Sequence, residues 1–246
     1  VRLLHGGKKL TREELLSELE RAKISTEGQR GYHMLWHLSQ SGTLCFGPPL
    51  KQQQTFVLLD EWVKHPLRLQ GDEALGELAR RYFGSHGPAT LQDFGTWTKL
   101  SAAELKRGLA VARPALEELV LGGVTYWMAR DAQPAAPAAR KARSVLALPG
   151  FDEYLLGYRD RSAVLAEEHR QRIAPGANGI FLPTIVVQGQ VLGTWRRAAS
   201  SQGVRLQAVP FTTLSAAALK GFELAASEYG RFLGVAVSVG PKHQPR

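Results

Sequence analysis

The chain has one cysteine, Cys45, and two methionines in 246 residues. A single thiol excludes a disulfide framework and a multi-cysteine metal site, and it fits a reducing, cytoplasmic setting. Long apolar length is also missing. The longest run without a charge, Ile173 to Trp195, contains Pro175, Pro183, four glycines, Asn178 and two glutamines. A lone helix in lipid does not tolerate so many breaks, which argues against a membrane span. Several enzyme signatures are absent as well: no Gly-x-Ser-x-Gly elbow, no phosphate-loop glycine pattern, no dinucleotide fingerprint and no metal-ligand cluster. His33 and His37 have the spacing of a zinc-protease pair, but Met34 stands where that chemistry needs glutamate, and no third ligand is evident.

Acidic charge is in short supply. Lys and Arg number 31 against 22 Asp and Glu, a formal +9, with a pI near 9.9. Residues 131 to 246 hold 14 basic against 8 acidic side chains, and so carry most of the excess. Such a balance favours a polyanionic partner, nucleic acid before membrane, with plain solubility as the competing reading. The opening Val1-Arg2-Leu3-Leu4-His5-Gly6-Gly7 reads as the tail of a preceding segment.

The expected fold class is α+β: tandem winged-helix units followed by a small β-rich C-terminal domain with one closing helix. In residues 1–65, Thr11 and Glu14 form a capping box for a helix to about Lys23, and Tyr32, Leu35, Trp36 and Leu38 pattern a second from Gln29 to Gln40. Strands around Leu44–Gly47 and Thr55–Leu59 follow, with Pro49 to Gln54 as the wing. The second helix of such a unit presents its polar face to a groove, which nominates Gln29, Arg30, His33 and His37, with Lys51 on phosphate at the wing tip. An interaction module that never touches DNA is the other reading. Residues 66–130 repeat the order. A helix spans 73 to 83, capping pairs Thr90/Asp93 and Ser101/Glu104 start two more, and a Gly122-Gly123 turn joins a hairpin. Lys99, Lys106 and Arg107 lie at or near the polar face of the third helix, where phosphate contact and a solvated surface are equally open.

Residues 131–143 form a Pro/Ala-rich linker ending in the basic cluster Arg140, Lys141 and Arg143. Beyond it, in 144–246, the period becomes strand-like over Ser144–Leu148, Gly179–Val187, Val191–Arg197 and Val204–Phe211. Gln188-Gly189 makes a tight turn, and Thr212-Thr213 caps a closing helix through Leu219, Phe222 and Tyr229.

Gly47-Pro48, Thr55 to Trp62, Tyr82-Phe83-x-Ser85-His86-Gly87-Pro88-Ala89-Thr90, Pro149 to Tyr158, Pro175-Gly176-x-Asn178-Gly179 and Gly193 to Arg197 together resemble the AlkZ/YcaQ family of bacterial winged-helix DNA glycosylases. The likeness spans nearly the whole chain with the motifs in family order. It implies a channel for double-stranded DNA, excision of alkylated purines, in some members unhooking of interstrand crosslinks, and no metal or organic cofactor. It also implies catalytic glutamines in a Gln-x-Gln or Gln-x-Asp motif near the family's N-terminus. Gln52-x-Gln54 lies in the wing instead, so that role is not transferred, and the family's first winged helix is expected to precede Val1.

Cleaving a glycosidic bond needs groups that stabilise positive charge on the sugar and orient a water. Asp152 and Glu153 are the adjacent carboxylates of the resemblance; they either assist that water or pair with Arg159, Arg161 or Arg196. Arg159, Arg161, Arg196 and Arg197 are candidates for phosphate, and the hairpin tip Gln188-Gly189-Gln190 for a groove. Tyr158 and Trp195 either stack on a displaced base or fill the core. A non-catalytic winged-helix DNA-binding protein, regulatory or architectural, is the alternative to a glycosylase, in either case associated with the nucleoid. The oligomeric state stays open.

Overall fold

Three capping boxes start three of the helices. Thr11, Thr90 and Ser101 each accept a hydrogen bond from the backbone three residues on, where Glu14, Asp93 and Glu104 reach back to the cap N–H. Each box satisfies two donors that a helix start leaves unpaired. The structure is a computed structural model that describes residues 1–132, 144–177, 179–200 and 203–240. The basic cluster Arg140, Lys141 and Arg143, most of the expected linker and Asn178 lie outside the described residues. The protein mixes helix and strand as an α+β fold. Its chain divides into two compact units, Val1–Leu69 and Gln70–Arg246.

In the first unit, strand β1 (Leu10–Thr11) leads into helices α1 (Arg12–Arg21) and α2 (Arg30–Gln40). Strands β2 (Leu44–Leu50) and β3 (Gln53–Leu58) and the short helix α3 (Leu59–Trp62) complete the unit. The sheet has the order β1-β3-β2, all antiparallel. Leu4, Leu15, Leu35, Leu44, Phe56 and Leu58 form its core. In the opening stretch Leu4 is buried, and the backbone N–H groups of Gly6 and Gly7 donate to Glu61. Tyr32 and Trp36, patterned as core, are about half exposed, whereas Leu35 and Leu38 of that stripe pack against the core.

The second unit opens with α4 (Gly71–His86), α5 (Leu91–Thr98), α6 (Ala102–Ala112) and the antiparallel pair β4 (Leu116–Leu121) and β5 (Val124–Ala129). Gly122 and Gly123 both take positive φ in the two-residue turn, a conformation other residues adopt at a cost. Ala79, Tyr82, Phe83, Ala89, Phe94, Ala112, Leu116 and Trp127 are its core. The remainder is built on a five-stranded sheet. Its strands are β6 (Val145–Leu148), β7 (Thr184–Val187), β8 (Gln190–Ser200), β9 (Gly203–Pro210) and β10 (Val237–Val239), in the order β10-β9-β8-β7-β6. Between β6 and β7 run the single-turn helices α7 (Glu153–Leu156) and α8 (Arg170–Ile173).

The long helix α9 (Ala216–Leu233) covers one face of the sheet, with Phe222 and Ala226 against Ile185, Trp195, Val204, Leu206 and Ala208. On the other face, Val186 and Val191 pack with Leu155, Leu165 and Ile173. Residues 179–183 are not strand as expected; Leu182 instead donates to Ile173 O, and Pro183 has no N–H to give a ladder. The cap of α9 is Ser215, which accepts from Ala218 N, rather than Thr212 or Thr213. Strand β10 pairs parallel to β9 and had no signal in three residues. Among the described residues no helix is long and apolar enough to cross a membrane.

Candidate nucleic-acid interface

Two stretches far apart in sequence, Tyr82 to Thr90 and Pro149 to Arg159, meet in the second unit. Tyr82 is buried at the end of α4, and its hydroxyl donates to Gly157 O at 2.6 Å. Tyr158 returns a hydroxyl bond to His86 O at 2.8 Å. His86 stacks on Tyr82 with ring centroids 4.6 Å apart. Its Nε2 lies 3.2 Å from Glu153 Oε2, an oxygen that also accepts from Trp97 Nε1 at 3.0 Å. Gly157 is required here, because a Cβ would sit 2.4 Å from the His86 ring. Asp93, buried at the start of α5, accepts from the backbone of Arg159 at 2.8 Å. Burial raises the pKa of both the Tyr82 and the Tyr158 hydroxyl, of Tyr82 strongly.

These contacts decide what Asp152 and Glu153 do. Asp152 caps α7 by accepting from Tyr154 N, and Glu153 meets Trp97 and His86. The expected pairing of these carboxylates with Arg159, Arg161 or Arg196 is not what the structure has; the nearer aromatic donors take the oxygen instead. Tyr158 is half-buried, its hydroxyl engaged by His86 O, whereas Trp195 belongs to the core. Trp195 is buried under α9 and donates to Leu148 O at 2.8 Å.

The basic candidates separate by how much of each cation is already engaged. Arg161 is half-buried: its Nε donates to Leu155 O, its guanidinium lies 5.1 Å over the Phe181 ring, and burial lowers its pKa, with Arg170 adding to that. Arg159 is exposed and touches Gln92 Oε1 at 3.3 Å, on the wall of a cleft of about 850 Å³ that Tyr126, Tyr154 and Tyr158 also line. Arg107 is ion-paired to Asp72 at 3.0 Å. Lys99 is exposed at the C-terminal end of α5 in the left-handed region, and Lys106 is exposed on α6. In the first unit Arg30, His33 and His37 are exposed along α2, and Lys51 holds positive φ in the β2–β3 turn. Among the described residues no group of three His, Cys, Asp or Glu is arranged to hold a metal ion.

The hairpin of β7 and β8 is pinned rather than free. Tyr154 donates to Gly189 O at 2.7 Å, Gln190 Nε2 to Ala163 O at 2.8 Å and Gln188 N to Ser144 O at 2.7 Å. Further along β8 the alternation of a strand splits the arginine pair. Arg197 shares the α9 side with Trp195 and reaches the Tyr229 hydroxyl at 3.2 Å. Arg196 faces the opposite way, paired in register with Gln207, while Arg205 pairs with Ala198 one step along. Arg196 and Arg205 are therefore diagonal neighbours on the sheet face away from α9, both exposed. Arg205 escaped the sequence reading because only the β8–β9 register brings it beside Arg196.

A family model described as "DNA glycosylase AlkZ-like" matches residues 1–232. The chain belongs to the AlkZ-like family. It is 28% identical over 243 aligned residues to the interstrand DNA cross-link repair glycosylase of Streptomyces sahachiroi, an alignment covering 93% of this chain and 63% of that protein. The solved structure of Streptomyces sahachiroi DNA glycosylase AlkZ superposes with a TM-score of 0.69 at 26% identity, covering 97% of this AlkZ-like chain and 67% of that one. The chain thus spans a little under two thirds of the curated relative's length.

Proposed function

We propose that this AlkZ-like chain grips double-stranded DNA for a glycosylase of alkylated bases or interstrand crosslinks, with residues 1–65 and 66–130 acting as winged helices. The observation that carries the reading is the diagonal pair Arg196 and Arg205 on the sheet face away from α9, in a chain of net charge +9 from the AlkZ-like family. Cations on a rigid strand pair neutralise phosphates without the entropy of ordering a loop. In the second unit Lys99 and Arg159 are further exposed cations for phosphate, Arg197 is one on the opposite, α9 side, Arg30 and Lys51 are candidates within the first unit, and the pinned tip Gln188 to Gln190 offers amides to a groove. Arg107 and Arg161 contribute less, since each is already engaged.

Base excision is not assigned to Asp152 or Glu153, because one caps a helix and the other holds His86 and Trp97. Gln52 lies in the β2–β3 turn and Gln54 on β3, both exposed. The engaged carboxylates also favour the second reading, a DNA-binding protein of this fold without excision chemistry. Both place the protein with the nucleoid. Incubation of the chain with duplex containing N7-alkylguanine, scored for abasic sites, separates them. Release of base by this chain supports the glycosylase reading, and duplex binding without release supports the second. Failure to bind duplex at all defeats both readings.

A further inference from the structure

The first unit contains a groove of about 940 Å³ whose lining includes none of the proposed duplex contacts. Its floor is the buried trio Leu35, Leu44 and Phe56. Its walls are three aromatic rings left open to solvent: Tyr32 at 49% exposure and Trp36 at 53%, one turn apart on α2, and Phe46 at 61% on β2. Phe46 rests on Phe56 with centroids 5.3 Å apart, which holds its ring in place. Single apolar side chains on a surface are ordinary, but three aromatics around one concavity are the mark of a binding site.

Amides decide between occupants. Gln40, Gln53 and Gln54 line the same groove. An amide offers a donor and an acceptor side by side, the match for the edge of a nucleobase, whereas an apolar helix face from a partner protein leaves those groups unpaired. Arg12 stands on the rim, with Glu13 beside it, and Lys51 occupies the turn joining β2 to β3. Flat rings for stacking, amides for base edges and cations nearby for phosphate are the three parts of a single-strand site. We infer that this groove binds unpaired bases of single-stranded DNA, through residues other than the proposed duplex contacts. The inference rests on the DNA-binding reading only for the class of polymer.

The test uses the full chain and two fluorescein-labelled probes, an oligothymidylate of about 12 nucleotides and a duplex of the same length, followed by anisotropy. Trp36→Ala is expected to weaken oligothymidylate binding on the order of 10-fold while leaving duplex affinity unchanged, and Trp36→Phe is expected to retain most of it. Gln53→Ala with Gln54→Ala is expected to lower oligothymidylate affinity further. Because Trp36 is on the surface, the variants should keep the wild-type circular dichroism and melting temperature. Equal loss on both probes, or no loss on oligothymidylate, overturns the inference. So does sedimentation showing that the chain self-associates and that Trp36→Ala dissolves the association without altering oligothymidylate binding. Failure of the duplex reading looks different: Arg196→Glu with Arg205→Glu then leaves duplex affinity intact whatever the groove does.

Discussion

Glu153 carries two neighbours on a single carboxylate oxygen, Trp97 Nε1 and His86 Nε2, though its side chain is 57% exposed. Removing that acceptor strands an indole N–H and a ring nitrogen that are only partly hydrated. Glu153→Ala is expected to destabilise by about 1–2 kcal/mol, read from the urea midpoint, with duplex affinity unchanged. Loss of duplex affinity at unchanged stability would instead make Glu153 a DNA contact. This contact was not legible beforehand. Glu153 and His86 are 67 residues apart and no local period encodes their meeting. Asp152 was closer to legible, since an Asp before a short apolar run is an N-cap pattern.

At the scale of elements, legibility follows the length of the periodic signal. The three capping boxes lie where their residue pairs indicate, and the Gly122-Gly123 and Gln188-Gly189 turns join the strands expected of them. Strands β1 and β10 have two and three residues and no readable alternation. The boxes also predict a pH response. In Glu104 the Ser101 side chain, then its backbone, hold the carboxyl below its ordinary value; in Glu14 the backbone of Thr11 leads, followed by its side chain. A depressed folded pKa means a contribution that is full above the unfolded value of about 4.3 and lost as pH falls through the folded one. Helicity by circular dichroism should therefore drop in acid below about pH 4.3, and Ser101→Ala should make the drop shallower. A wild-type slope in that variant would remove the box from the acid response. Between elements, Gly157→Ala forces a Cβ to within 2.4 Å of the His86 ring and 2.7 Å of Glu153 O. It is expected to cost about 1–3 kcal/mol in a thermal melt.

For the whole molecule, the count of 31 Lys and Arg overstates how many cations are open to phosphate. Glu77 holds both Arg80 and Arg81, Asp72 holds Arg107, Glu167 holds Arg170, and Arg172 lies 4.3 Å over Phe211. The basic composition was visible from the start, but which cations stay available depends on pairing and on strand register. Counterion release turns that difference into a number, because each neutralised phosphate adds about 0.9 to the slope of log affinity against log salt. Arg196→Gln and Arg205→Gln should each flatten the duplex slope by about 0.9, whereas Arg107→Gln, whose cation Asp72 already engages, should leave it nearly unchanged. All three substitutions remove one positive charge, so net charge alone predicts three equal effects. Equal slopes would mean that no face of the sheet is set aside for DNA; unequal slopes in the stated order locate the grip on the side of β8 and β9 that α9 leaves open.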